Sequence, residues 1–242
     1  MFRHRGKART FRHNFRLAVF LSFVAGLVNI CGVLLLDVLT TNVTGHFAYF
    51  AEGVFEEQLS VAISFLCYIL AFLLGAFTSG FLTEYNAARG HEAPHNLAVY
   101  LEILLLAVVG LYGDRLLAAG YHKALPASLM LFAMGLQNSL VTKVSNAVVR
   151  TTHLTGLFTD LGIELSQLFF YREEKQRRQL LRSIGLRGGI ILFFFSGCIA
   201  GGMLHYRLHF RVLLIAAAVL VITLIYDNLR LGFYKFRRQL RQ

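Results

Sequence analysis

The sequence predicts an all-α polytopic membrane protein made of two homologous repeats, each of three transmembrane helices plus one short broken or re-entrant helix, the two repeats being inverted. Three observations predict it. The 242 residues are 56% hydrophobic and only 15% charged, whereas a soluble domain has roughly 45–50% apolar and about 25% charged residues. Several apolar runs approach the ~20 residues that a bilayer-spanning helix needs. One pattern also occurs twice. Gly26-Leu27-Val28-Asn29 is followed by Thr40-Thr41-Asn42-Val43-Thr44-Gly45, and Gly135-Leu136-Gln137-Asn138 is followed by Thr151-Thr152-His153-Leu154-Thr155-Gly156. Each copy has an aromatic residue two places further on, Phe47 or Phe158, and a two-residue insertion aligns the copies.

Along the chain, residues 1–14 form a basic arm and 15–122 the first membrane repeat. The first helix is expected over 15–39, with Asn29 and Asp37 as polar interruptions. It runs well past the length of a secretory h-region and is followed by no convincing small-x-small cleavage site, so it reads as a membrane helix. Thr40 to Gly45 is a polar break, followed by a short amphipathic piece at about 46–58 and helices at 59–83 and 97–119. Residues 123–233 repeat the plan: a helix at 126–149, a break at Thr151 to Gly156, a short piece at 157–171, a basic loop, and helices at 185–206 and 209–233. A basic tail, 234–242, closes the chain. The repeat extends to Gly75-x-x-x-Ser79-Gly80, which matches Gly197-x-x-x-Gly201-Gly202. Small residues at that spacing let membrane helices approach closely, within a chain or in a homodimer.

If the short pieces re-enter, the chain crosses six times and its halves are inverted. If they cross fully, there are eight crossings and parallel halves. The basic residues fit either plan, but polar breaks at membrane depth must line a cavity or be buried in protein, which favours the inverted one.

The net charge of +11 is not the patch of a nucleic-acid binder. It sits in clusters at the ends of apolar segments: Arg3 to Arg16, Arg172 to Arg187, and Arg230 to Arg241. The positive-inside rule produces that placement, with both termini cytoplasmic, and anionic lipid headgroups suit it. Cys31, Cys67 and Cys198 lie inside apolar runs without paired spacing, as small buried hydrophobes do.

The breaks carry the candidate chemistry. Thr-Thr-x-x-Thr-Gly before a short helix is a capping signature, in which a hydroxyl accepts from the first free backbone N–H groups. Those groups, at the positive end of the helix dipole, favour anions. Paired discontinuous helices, one per repeat, are how many secondary transporters build a central site. Thr40, Thr41, Asn42 and Thr44 are thus expected to face Thr151, Thr152, His153 and Thr155 across a solute. Arg150 precedes the second break, where the first has Leu39, and arginine at membrane depth is costly and usually functional. Asn29 and Asn138 occupy matching positions and serve either the solute or an interhelical hydrogen bond. Asp37 and Glu102 are isolated carboxyls suited to holding a proton or a cation, and Asp37 is also placed to neutralise Arg150. His153, Asp160 and Glu164 share a helical face, a weak metal-like or proton-site pattern. No metal or cofactor motif, nucleophile elbow or phosphate-cradling loop occurs, so no enzyme chemistry and no cofactor are expected.

Gly135-Leu136-Gln137-Asn138, Val149-Arg150-Thr151-Thr152-His153-Leu154-Thr155-Gly156 and Thr159-Asp160-Leu161-Gly162, with the earlier Thr-Asn-Val-Thr-Gly, resemble the YoaK-like family of small bacterial integral membrane proteins. The likeness covers nearly the whole chain and departs in the basic insertion after Tyr171. It implies a bacterial inner-membrane protein of about six helices and implies no activity. From the residues, the leading expectation is a transporter or channel for a small anionic or polar solute, with membrane lipid and that solute as partners. A scaffold that docks a cytoplasmic protein through the basic loop 172–187 is the second. An intramembrane enzyme using His153, Asp160 and Glu164 is the third.

Overall fold

A computed structural model describes residues 11–91, 93–119, 123–145 and 149–239, without the side chains of 12–14 and 227–239. All secondary structure among these residues is helical: α1 (Phe11–Leu36), α2 (Val43–Phe55), α3 (Leu59–Ala88), α4 (Asn96–Ala118), α5 (Ala124–Ser145), α6 (Leu154–Gln167), α7 (Glu174–Leu208) and α8 (Val212–Gln239), with a 3₁₀ turn at His209–Arg211. Residues 1–10 of the expected arm and 240–242 of the expected tail lie outside the described residues, as do 120–122 at the expected repeat boundary. Helix α1 begins inside the arm, and α8 continues into the tail.

The six long helices have 22 to 35 residues. At 1.5 Å per residue even the shortest reaches about 33 Å, enough for a hydrocarbon core of ~30 Å. With 13 and 14 residues, α2 and α6 reach only about 20 Å and cannot cross alone. Five stretches are long and apolar enough to span a membrane, the last being 53 residues from Glu174 to Tyr226. A backbone reversal at His209, φ 48°, divides that stretch into α7 and α8.

One boundary differs clearly from the sequence expectation. The basic loop before residue 185 is instead the first turns of α7, which starts at Glu174. Lys, Arg, Gln and Leu are good helix formers, and Arg178 pairs with Glu174 one turn earlier at 2.6 Å.

Two glycine crossings hold the centre together, α1 against α7 and α3 against α5. A Cβ at Gly26 would stand 2.0 Å from the Phe194 carbonyl oxygen, and one at Gly197 would stand 2.2 Å from that of Phe23. In the other crossing a Cβ at Gly135 would stand 2.2 Å from the Phe72 oxygen, and one at Gly75 would stand 2.1 Å from that of Phe132. Only a residue without a side chain lets the backbones come this near. Gly75 and Gly197 are therefore used inside the chain.

Around this centre, α4 packs on α5 and α8. Arg16 donates to the Tyr226 hydroxyl at 2.9 Å, joining α1 to α8. Gln137, buried in α5, donates to the Leu21 carbonyl of α1 at 2.9 Å. On the outside of α3, Leu66, Leu70, Leu73, Phe77 and Phe81 are exposed at helical spacing. An apolar stripe of that extent suits lipid.

Candidate functional site

Both chain breaks open onto one cavity of about 930 Å³. The first contributes Thr41, Asn42 and Thr44, and the second contributes Arg150, Thr152, His153 and Thr155. Asn29 of α1 and Asn138 of α5 reach it from the helices that precede the breaks. Residues far apart in sequence are brought together because the α1–α7 and α3–α5 crossings set the helix ends side by side.

The first break begins where Asp37 takes a left-handed φ of 60°, a conformation that Asp and Asn tolerate better than most residues. Val38 N–H folds back to the Gly32 carbonyl at 3.1 Å. The carboxylate of Asp37 pairs with Lys123 at 2.8 Å, both side chains being largely exposed. The expected Asp37–Arg150 bridge does not form, and Asp37 is not part of the cavity lining. Among the described residues no carboxylate pairs with Arg150, which is exposed at the cavity.

The threonines act differently from the expected caps. Asn42 caps α2, its Oδ1 accepting from Gly45 N–H at 3.0 Å. Thr41 instead turns back to Asn29, donating its hydroxyl at 3.0 Å and its backbone N–H at 3.3 Å to Oδ1. The second break repeats this, with the Thr152 hydroxyl donating to Asn138 Oδ1 at 3.1 Å. His153 holds the N-cap position of α6 but makes no side-chain cap bond. The glycine of each Thr-Gly pair lies under the cap residue: a Cβ at Gly45 would stand 3.1 Å from Asn42 Nδ2, and one at Gly156 would stand 2.5 Å from the His153 ring. Thr40 and Thr151 are fully buried and do not line the cavity. Thr151 takes a hydrogen bond from Gln137 at 3.4 Å.

Phe72 of α3 and Phe194 of α7 form apolar walls of the cavity that the sequence reading missed. They lie three residues before Gly75 and Gly197, so extending the glycine register by one turn finds both. His46 was missed too. Buried in α2, it bonds the Leu39 carbonyl through Nε2 at 2.7 Å and packs against Phe65 and Tyr68, closing the end of the first break.

Asp160 and Glu164 share a face of α6 as expected, but they grip a cation of the protein itself. Arg187 of α7 donates to Glu164 at 2.5 Å and to Asp160 at 3.2 Å, with Ser183 as a third partner. One guanidinium thus holds both carboxylates and offsets one of their two charges. His153 is absent from this cluster, and no group of three metal-ligating side chains occurs among the described residues.

Glu102 is fully buried in α4, and neither of its carboxyl oxygens has a partner among the described residues. It is not part of the cavity lining. A buried polar group without a hydrogen bond costs about 1–3 kcal/mol. Glu102→Met is therefore expected to raise stability by about that much. Thermal unfolding of the detergent-purified variant checks it, and a lowered Tm would show that Glu102 has a compensating partner.

Long apolar helices surrounding a polar cavity at two helix breaks define a multi-pass membrane protein. The chain belongs to the family described as "Protein of unknown function (DUF1275)", whose model matches residues 17–226. It is similar to the UPF0700 transmembrane protein YoaK of Bacillus subtilis (strain 168), with 24% identity over 180 residues, 74% of this chain and 78% of that protein. The resemblance to the YoaK-like family therefore holds. No solved structure matches the chain.

Proposed function

We propose that the protein is a transporter or channel for a small polar or anionic solute, with its site in the cavity between the two breaks. One observation carries this reading: two copies of one motif converge on a single cavity, and the cavity also holds an arginine that has no carboxylate partner among the described residues. A non-transporting scaffold has no need of an exposed arginine in a cavity between two helix breaks. The paired breaks match the way inverted-repeat transporters place unwound backbone at a central site.

The same reading treats the halves as inverted repeats that cross six times, with α2 and α6 re-entrant. Packing supports it, since α1 meets α7 as α5 meets α3, through matched glycines and matched phenylalanine carbonyls. The basic clusters support a topology with both termini and the start of α7 on the cytoplasmic side of a bacterial inner membrane. The protein is not an enzyme in this reading, because Asp160 and Glu164 are committed to Arg187.

Flux tests it. The full chain, reconstituted into liposomes, is expected to speed entry of at least one small anion or neutral polar solute over protein-free vesicles. Arg150→Ala is expected to cut that flux about tenfold or more, the worth of one charge-assisted hydrogen bond. Equal entry with and without protein, across anions, cations and neutral solutes, would leave the scaffold reading in its place.

A further inference from the structure

We propose that the cavity takes a small monoanion, a carboxylate or another monovalent oxyanion, and that the side-chain amides of Asn29 and Asn138 donate to it beside Arg150. This rests on the cavity reading above and adds to it the charge of the solute and the groups that recognise it.

The first argument is charge. Among the described residues Arg150 is the one permanently charged residue lining the cavity, and no carboxylate lines it. A single guanidinium is balanced by a single negative charge, whereas a dianion brings a second charge that no other permanent cation lining the cavity offsets.

The second argument is the orientation of the two asparagines. A backbone N–H can only donate, so the Asn29 side chain must turn its oxygen to Thr41 N, 3.3 Å away, and the Thr41 hydroxyl joins at 3.0 Å. The two amide hydrogens of Asn29 then face elsewhere. At Asn138 the partner is the Thr152 hydroxyl alone, 3.1 Å from the oxygen, and the orientation follows that of the matching Asn29–Thr41 pair. Among the described residues no acceptor takes the amide hydrogens of either asparagine. Both residues line the cavity. The threonines expected to bind the solute therefore position the asparagines, and the asparagines carry the free donors.

Free N–H donors around one cation, with no ionised acceptor, make an inventory that fits an anion. A carboxylate or nitrate oxygen accepts from Asn and Arg alike, and its charge shortens and strengthens those bonds. A cation would meet Arg150 with no carboxylate to offset it.

The test follows thermal unfolding of the detergent-purified full chain during titration with sodium acetate, sodium nitrate, sodium sulfate and acetamide at constant ionic strength. Acetamide is the neutral near-isostere of acetate. A ligand of the folded state raises Tm in proportion to its occupancy. Acetate or nitrate is expected to give a saturable rise that acetamide and sulfate do not.

Asn29→Asp and Asn138→Asp keep the size of the side chain and the oxygen that the threonine uses, but they replace the donor with negative oxygen. Each is expected to weaken acetate or nitrate binding about tenfold or more. Arg150→Gln, at an exposed position, is expected to do the same and serves if an aspartate variant does not fold. A saturable rise with acetamide or with sodium sulfate, which also reports any sodium effect, would overturn the monoanion and leave the cavity reading standing. Acetate and nitrate binding unchanged in both aspartate variants would overturn the role of the asparagines, and no shift with any of the four would overturn the proposal. The cavity reading itself fails only if the liposome panel shows no flux of any solute.

Discussion

Alanine at Gly26 or Gly135 is expected to prevent a stable fold or to lower its stability by about 3 kcal/mol, the upper end of ordinary overpacking. At Gly26 the added Cβ meets the Phe194 carbonyl oxygen at 2.0 Å and the Cys198 nitrogen at 3.0 Å, and at Gly135 it meets the Phe72 oxygen at 2.2 Å and the Ala76 nitrogen at 3.0 Å. These atoms are helix backbone, so no side-chain rotation relieves the clash and the crossing must open along its length. Lipid tails are as apolar as the separated surfaces, so close packing is most of what holds such helices together. The damage also reaches the cavity, because Phe72 and Phe194 form its walls. A matched control is Gly162→Ala, where a Cβ meets nothing within 4 Å and alanine gains up to about 1 kcal/mol of helix propensity. Thermal unfolding of the three variants checks both effects. A Gly26→Ala protein with unchanged Tm would mean that the α1–α7 crossing is looser than these distances require.

Of those crossings the sequence showed Gly75 and Gly197 as close-packing glycines, within the chain or in a dimer, and Gly26 and Gly135 only as members of a recurring motif. The six long helices were legible for a more direct reason, since a bilayer demands length and apolarity whatever the partners are. The roles inside the breaks were harder to read. Thr41 and Thr152 look like caps because local rules compare a residue with its next turn, whereas their partners lie 12 and 14 residues earlier. The repeat did carry a clue: Asn29 with Thr41 and Asn138 with Thr152 recur together, as bonded pairs should.

Asp37 was misplaced because its left-handed φ reverses the chain, and its partner Lys123 stands just before α5, 86 residues away. No local pattern reports that encounter. Arg187 was grouped by the positive-inside rule with the basic cluster Arg172 to Arg187. That hid it as the partner of Asp160 and Glu164, whose helical spacing had been recognised.

The α6–α7 contact supplies the second large effect. Arg187→Ala is expected to cost about 1–3 kcal/mol, between the values for exposed and buried pairs. Arg187 is 23% exposed and Glu164 14%, so the stranded carboxylate of Glu164 is poorly solvated, whereas Asp160, 53% exposed, reaches water. The loss should concentrate in α6, which has Leu157 as its one buried residue, and amide exchange there should rise ahead of α1 or α5. The first half holds its short helix without ions. Aligned on the Thr-Thr and Gly75/Gly197 registers, Tyr49, Gly53 and Phe65 occupy the places of Asp160, Glu164 and Arg187. There Tyr49 and Phe65 stack at 5.0 Å, and Gly53 sits so close that a Cβ would stand 2.9 Å from Ala62 N. The triple change Asp160→Tyr, Glu164→Gly and Arg187→Phe moves that apolar clamp to the second half. An aromatic pair contributes about 0.5–1.5 kcal/mol beyond its area, against about 1 kcal/mol lost by placing glycine in a helix. The triple variant should therefore be more stable than Arg187→Ala, because it leaves no carboxylate stranded. It should also protect α6 from exchange, since the stack depends on packing and the ion cluster on one arginine shared by two carboxylates. A triple variant no better than Arg187→Ala by either measure would show that the two short helices are not equivalent parts of one repeated design.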